Sequence, residues 1–85
     1  MYLHIGSGFV VRNEDVVGVF DLDNTTGSHI TRDFLARAEK DGAVINAAED
    51  IPRSFVLCAD KGGRRVYLSQ LNPATILKRS SEDIL

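Results

Sequence analysis

The feature that most limits how this chain can fold is an apolar run at residues 55–59 followed by Asp-Lys-Gly-Gly at residues 60–63. The run is typical of a strand in the interior of a sheet. The two adjacent glycines accept positive φ angles, so residues 60–63 predict a tight turn. Residues 66–69 are again β-prone and return antiparallel. The sequence therefore predicts a β-hairpin whose first strand lies in the core.

The first third of the chain alternates β-prone runs with turn residues. Residues 2–5 and 9–12 flank Gly6-Ser7-Gly8, which predicts a second hairpin. On its first strand, His4 is expected to face away from both of its apolar neighbours. Residues 16–20 form an unbroken apolar run, which predicts a strand buried on both faces. Residues 43–47 are a weaker candidate for a strand.

Two helices are predicted, each from a local capping signal. Thr31 is a suitable N-cap for the first helix, and Gly42 marks its end. Its apolar stripe consists of Phe34, Leu35 and Ala38. Asn72 followed by Pro73 predicts the start of a short second helix that ends near Arg79. The predicted fold is α+β: a small antiparallel β-sheet with one central helix and a short C-terminal helix. Residues 1–79 form a single domain and residues 80–85 a frayed acidic tail.

The chain has few means of stabilising a small domain. It has 85 residues, of which 44% are hydrophobic, enough for one core. Its one cysteine, Cys58, can form no intrachain disulfide and is expected to be a small buried hydrophobic residue. The sequence contains no metal-binding motif. Self-association is the remaining common way to stabilise such a domain, so a homo-oligomer is expected.

Charge and hydropathy limit the classes of partner. The formal net charge is −2, and two of the acidic residues, Glu82 and Asp83, lie in the last four positions, so the rest of the chain is neutral. Dedicated nucleic-acid-binding domains are strongly basic, so DNA binding would require arginines gathered on one face or multiplied by assembly. No apolar stretch approaches the roughly 18 residues of a membrane span. We expect a cytoplasmic protein with no membrane partner.

Residues 17–25 resemble the first motif of haloacid-dehalogenase-type phosphatases, an apolar strand followed by Asp21-x-Asp23-x-Thr25. In those enzymes the first aspartate attacks phosphorus, the second transfers protons, and magnesium bridges the two. The chemistry also requires a lysine and further acids on later strands, and too few residues follow here to build that sheet. The alternative is a strand that ends in a turn capped by Asp and Asn. We predict no enzymatic activity, no cofactor and no small-molecule substrate.

Four arginines are the candidate nucleic-acid-binding residues. Arg64 and Arg65 follow the glycine turn, Arg53 precedes the core strand, and Arg12 ends an early strand. The forked guanidinium group matches the oxygens of a phosphate, so arginines on loops are good phosphate ligands. The alternative interpretation is a solvated rim on the hairpin, which is the more common role of two adjacent arginines.

With these residues in view, the chain resembles the small bacterial extracellular-matrix regulator family from Met1 to about Arg79. Three collinear blocks carry the resemblance: His4-Ile5-Gly6-x-Gly8-x-Val10-Val11, then Ala38-x-x-x-Gly42-x-x-Ile45-x-Ala47, then residues 54–58 with Leu68-Ser69-x-x-x-Pro73-x-Thr75. The start of the chain and Pro52 resemble the second, RemB-like branch of the family.

The resemblance implies a compact α+β fold, ring-like homo-oligomers and transcriptional activation of biofilm-matrix genes through DNA binding. The well-studied branch binds DNA with an arginine pair just before the core strand and a basic residue after the first hairpin. Here those positions hold Ile51, Pro52 and Asp15, with Arg53 and Arg12 nearby. Two hypotheses remain: a ring-forming DNA-binding regulator, or a homo-oligomeric adaptor that binds another protein and not DNA.

Overall fold

The structure is a computed structural model that describes residues 2–22 and 29–84. Within these residues it contains six strands and two helices, joined between the second and third strands by one 3₁₀ turn at Asn13–Asp15. The elements are β1 (Tyr2–Gly6), β2 (Phe9–Arg12), β3 (Val16–Asp21), α1 (His29–Lys40), β4 (Val44–Asn46), β5 (Ser54–Asp60), β6 (Gly63–Ser69) and α2 (Pro73–Ile84). The predicted α+β class is confirmed.

The strands form two sheets, whereas the sequence predicted a single antiparallel one. β1 and β2 pair as a hairpin, and the other four strands are ordered β3-β5-β6-β4. β3, β5 and β6 are antiparallel, but β4 runs parallel to β6. Because β5 lies between β4 and β6 in the sequence, no tight turn joins β4 to β6. The two strands can therefore run parallel.

The β5–β6 hairpin lies at the centre of the larger sheet, as its sequence predicted. Asp60 pairs with Gly63, which leaves Lys61 and Gly62 as the two-residue turn. The Asp60 carboxylate accepts a hydrogen bond from the Gly62 N–H at 2.7 Å. Gly63 takes the positive φ, 115°, and Gly62 does not. The predicted turn is therefore confirmed, with one glycine in the left-handed region instead of two.

The β1–β2 hairpin covers one face of this sheet. Its turn residues Ser7 and Gly8 have φ angles of 47° and 81°, the pair of positive values that a two-residue type I′ turn requires. Leu3, Ile5 and Val11 point inward and are almost fully buried, while His4 is exposed as predicted. Because side chains alternate along each strand, the hairpin has one apolar face, and this face packs on the sheet.

Side chains on the two faces of the larger sheet form two apolar clusters. The larger cluster joins the β1–β2 hairpin and α2 to the sheet; its buried members are Leu3, Ile5, Val11, Ala47, Val56, Cys58, Tyr67 and Ile76. On the other face, buried Leu22, Phe55 and Val66 contact the predicted stripe of α1, formed by Phe34, Leu35 and Ala38. The sheet is therefore covered on both sides, and α1 lies on one side instead of at the centre.

Residues 16–20 are not buried on both faces, so that prediction was wrong. Val17 is 63% exposed and Phe20 is 40% exposed. β3 is an edge strand that pairs with β5, and its register shifts between Val16 and Gly18. An edge strand lies where the covering layers end, and a register shift interrupts the alternation of side chains, so an apolar run there is only partly covered.

The signals that end α1 and begin α2 are confirmed. Gly42 has a φ of 73°, its N–H bonds the Glu39 carbonyl at 3.0 Å, and the Ala43 N–H bonds the Ala38 carbonyl at 2.8 Å. This is the Schellman arrangement that favours glycine. At α2, the Asn72 side-chain oxygen accepts a hydrogen bond from the Thr75 N–H at 2.8 Å, directly before Pro73.

The other two predicted helix ends were wrong. α1 begins at His29, so Thr31 lies inside the helix and is not its N-cap. Threonine lowers helix stability only slightly, so a helix can continue through it when other contacts favour it. α2 continues to Ile84, five residues beyond the predicted end near Arg79. The division into a domain of residues 1–79 and a tail of residues 80–85 stays a prediction.

Two fully buried serines, Ser54 and Ser69, form hydrogen bonds to backbone groups outside their own strands. The Ser69 hydroxyl donates to the Ile5 carbonyl at 2.7 Å and accepts from the Leu71 N–H at 3.1 Å. The Ser54 hydroxyl donates to the Leu71 carbonyl at 2.7 Å. Ser69 therefore joins β6 to the β1–β2 hairpin, whereas Ser54 fixes only the segment after β6.

We expect Ser69→Ala to lower the free energy of unfolding by about 1–3 kcal/mol, because it leaves the buried Ile5 carbonyl and the part-buried Leu71 N–H without this partner. Ser54→Ala is the matched control: it removes one hydrogen bond and should cost less. Chemical denaturation at equal protein concentration measures both. Equal stability of the Ser69→Ala variant and the unmodified chain would contradict this role.

Candidate nucleic-acid interface

The alternation of side chains along β6 places Arg64 and Arg65 on opposite faces of the sheet. Arg64 pairs with Ala59, and Arg65 pairs with Cys58, whose side chain lies in the cluster beneath the β1–β2 hairpin. Adjacent residues of a strand point to opposite faces. The two arginines are both exposed at the hairpin end, but they do not form one site.

Arg65 lies near a second predicted arginine, Arg12, in what we call the charged groove. The groove has a volume of about 210 Å³ and lies between the end of β2 and the β5–β6 hairpin. Its lining includes Arg12, Asp15, Cys58, Asp60, Arg65 and Tyr67. The structure thus brings together two of the four predicted residues, Arg12 and Arg65, from strands that are far apart in the sequence.

Acidic side chains balance the positive charges of this groove. The Arg12 guanidinium donates to the Glu14 carboxylate at 2.9 Å, which raises the pKa of Arg12 and lowers that of Glu14. A side-chain hydrogen bond with Tyr67, and then the charge of Asp60 at 3.8 Å, raise the pKa of Arg65. Arg12, Lys61 and Arg65 therefore face Glu14, Asp15 and Asp60. This part of the surface attracts phosphate weakly.

Arg64 lines a different depression, which we call the helix cleft, between α1 and the β5–β6 hairpin. The cleft is lined by Phe34, Arg37, Ala38, Asp41, Ala43, Leu57, Arg64 and Val66 and has a volume of about 500 Å³. Within the described residues, neither Arg37 nor Arg64 forms an ion pair. Of the described residues that line the cleft, Asp41 is the one acidic residue. The cleft therefore carries more positive than negative charge.

Arg37 is the residue that the sequence analysis missed. It lies in the last turn of α1, where a basic side chain is also explained by the helix dipole. Its position three residues after Phe34, at the border of the apolar stripe, was the available signal. That signal becomes specific only when the helix is placed against the face of the sheet that carries Arg64.

Arg53 lies at the opposite end of the hairpin. Its N–H donates to the Ser69 carbonyl at 2.8 Å, and its carbonyl accepts from the Leu22 N–H at 2.9 Å, so the backbone is held between β3 and β6. The exposed Arg53 side chain is six residues before Ala59, the partner of Arg64, which is about 20 Å along a strand. One chain therefore cannot place all four arginines in one patch.

The loop before Arg53 carries an exposed apolar residue. Ile51 is 78% exposed, and Pro52 is half-buried. These are the two positions at which the resemblance implies an arginine pair. Direct phosphate contacts from this loop can therefore come from Arg53 alone.

The structure also bears on the phosphatase-like motif and on the membrane and metal sites considered in the sequence analysis. Asp21 ends β3 and pairs with Ser54, while Asp23 and Thr25 lie outside the described residues. In residues 2–22 and 29–84, no helix is both long enough and apolar enough to span a bilayer. No three potential metal-ligating side chains cluster in this part of the chain either.

The described residues form a small α+β fold with a central β5–β6 hairpin and arginines on separate parts of the surface. The chain matches the RemA-like family model, described as extracellular matrix regulatory protein A-like, over residues 2–79. It belongs to that family. The resemblance inferred from the three sequence blocks is confirmed.

A curated relative supports the same assignment. The chain is 32% identical over 80 residues to the extracellular matrix regulatory protein B of Bacillus subtilis (strain 168). The alignment covers 94% of this chain and 90% of that protein. The similarity to a B protein agrees with the branch suggested by the N-terminal block and Pro52. Both names describe regulatory proteins and not enzymes.

The Cys58 thiol lies in the lining of the charged groove and is buried. Loss of solvation, and next the charge of Asp15, raise its pKa to about 11. Because the folded-state pKa is raised, the stabilisation from this buried thiol is complete at neutral pH and is lost as the pH rises through about 11.

At neutral pH we therefore expect the native thiol to be alkylated at least about tenfold more slowly than the thiol of the unfolded chain, because the thiolate is the reactive form. Mass spectrometry of iodoacetamide-treated protein, with and without denaturant, measures the ratio. Equal rates in the two conditions would show that Cys58 is accessible and ionised in the fold.

Proposed function

We propose that this chain is a bacterial regulator of extracellular matrix genes that assembles into a ring-like homo-oligomer and binds DNA as a transcription regulator. The contacting residues are Arg12, Arg53, Arg64 and Arg65. Membership of the extracellular matrix regulatory protein family supports the regulatory role. The exposed arginines, spread over separate parts of the surface, support contacts to phosphates with little reading of bases.

The separation of the arginines is the observation that favours assembly. A single arginine is a weak phosphate ligand, and two of the four face nearby carboxylates. Repeating the same surface around a ring presents each arginine many times to one DNA molecule, which raises avidity without any new contact. Binding through phosphates also explains how a chain with a net charge of −2 can associate with DNA.

The outer face of the β1–β2 hairpin is the surface we propose for self-association. Tyr2 is 63% exposed and Val10 is 41% exposed, and the pairing of β1 with β2 places both on the face opposite the core. In the part of the chain that the structure describes, β3 and β4 are the two outer strands of the larger sheet, and their outer edges offer further backbone groups for pairing between copies. A small domain without disulfides gains stability when such surfaces are covered.

The chain should therefore be larger than its 9.3 kDa monomer in solution. Light scattering coupled to size exclusion at micromolar concentration measures the mass. Tyr2→Asp should shift the population toward smaller species, because it places a charge on the proposed interface. Ile51→Asp, at an exposed apolar residue on a loop, is the matched control. A monomeric unmodified chain would contradict the proposal.

Replacing Arg64 and Arg65 together by Ala should weaken DNA binding on every sequence alike, because phosphate contacts carry no sequence information. Stability should change by less than about 0.5 kcal/mol, since both residues are exposed. Lys78→Ala with Arg79→Ala removes the same charge from α2 and is the control. Mobility shift at low salt measures affinity. Equal losses from both double variants would indicate a general charge effect.

An adaptor that binds another protein is the alternative function. The balanced charges of the charged groove favour it, as do Ile51 and Pro52 at positions where the family resemblance implies arginines. If the assembled protein does not retain any DNA even at low salt, this alternative replaces direct DNA binding. The exposed Ile51 loop is then the first surface to test for a protein partner.

A further inference from the structure

The helix cleft combines a positive rim with an apolar base. Arg37 comes from the last turn of α1 and Arg64 from the β5–β6 hairpin, so the two guanidinium groups lie on elements that form opposite walls. Both side chains are exposed, and neither forms an ion pair within the described residues. With Asp41 as the one acidic side chain among the described residues of the lining, the rim has a net positive charge.

The base of the cleft is built from side chains that the core holds in place. Val66 is 1% exposed, and Leu57 and Ala38 are half-buried in the same apolar cluster. The ring of Phe34 stacks on that of Phe55 with centroids 6.1 Å apart, which limits its rotation. The cleft is therefore formed before any ligand arrives, and its volume of about 500 Å³ is within the range of small-molecule pockets.

We propose that the helix cleft binds a small organic anion, an aromatic or branched aliphatic group that carries a phosphate or carboxylate. The apolar part would contact Phe34, Leu57 and Val66, and the anion would accept charge-assisted hydrogen bonds from Arg37 and Arg64. A DNA backbone matches this site poorly, because its phosphates bring no apolar group to cover the base. The proposal goes beyond the proposed function, and it assigns to Arg37 a role that the DNA-binding hypothesis does not require.

One consequence does rest on the proposed function. Arg64 belongs both to the helix cleft and to the proposed DNA-contacting set, so an anion in the cleft competes with DNA for that side chain. A bound ligand would then weaken DNA binding, which links the concentration of a small molecule to gene regulation. Binding of the anion itself does not depend on this link.

Phenyl phosphate is a suitable probe, because it joins an aromatic ring to a phosphate. Ligand-observed NMR, which works for any oligomer size, measures its affinity for the full chain at neutral pH. Inorganic phosphate and benzyl alcohol are the comparison arms, each with half of the chemistry. We expect saturable binding of phenyl phosphate, about tenfold tighter than either comparison compound, since both halves contribute. No saturable binding at millimolar concentration overturns the proposal.

Two variants and one control assign the site. Arg37→Gln and Arg64→Gln should each weaken phenyl phosphate binding by about tenfold, through loss of a charge-assisted hydrogen bond. Lys78→Gln removes one positive charge from α2, which packs on the opposite face of the sheet, and should leave affinity unchanged. Circular dichroism checks that all three fold. Equal effects of Lys78→Gln and Arg64→Gln, or tight binding of inorganic phosphate alone, overturn the proposal. If the chain binds phenyl phosphate but does not bind DNA, the anion-binding proposal stands and the proposed function fails.

Discussion

The alternation of side chains along the β5–β6 hairpin is the constraint on which the rest of the structure depends. Both faces of this hairpin are covered, so each of its residues is committed to one of two layers. Val56, Cys58 and Tyr67 face the β1–β2 hairpin and α2, while Phe55 and Val66 face α1. A slip of one residue would exchange these sets and leave neither layer with a matching surface. The turn at Lys61 and Gly62 fixes the register against such a slip.

The same alternation divides the surface chemistry. Because Arg64 and Arg65 are neighbours on β6, one is directed to the helix cleft and the other to the charged groove. The groove is close to electrically neutral, while the cleft is positive and has an apolar base. A motif that looks like one phosphate-binding pair in the sequence thus becomes two surfaces with different chemistry. Neither surface gathers more than two of the four predicted arginines, which is why the proposed function relies on several copies of the chain.

Features that depend on neighbouring residues could be predicted from the sequence, whereas features that depend on distant segments could not. The signals of the glycine turn, Gly42 and Asn72 depend on neighbouring residues and were confirmed. The burial of residues 16–20 and the parallel direction of β4 depend on pairing between distant segments, which local patterns do not encode. The same distinction applies to the candidate site. All four predicted arginines are exposed, and their role in binding nucleic acid stays a prediction. Their distribution over separate surfaces follows from strand pairing, and the presence of Arg37 beside Arg64 follows from the packing of α1 on the sheet.

The salt dependence of DNA binding tests most directly whether assembly multiplies weak arginine contacts. Each neutralised phosphate contributes about −0.9 to the slope of log affinity against log salt concentration, so the four arginines of one chain can supply at most about −3.6. Affinity of the unmodified protein for a generic duplex, measured over a series of salt concentrations, gives this slope. We predict a value clearly steeper than that limit, because several copies contact the same DNA. A slope within the limit, or no binding at the lowest salt concentration, would contradict the account.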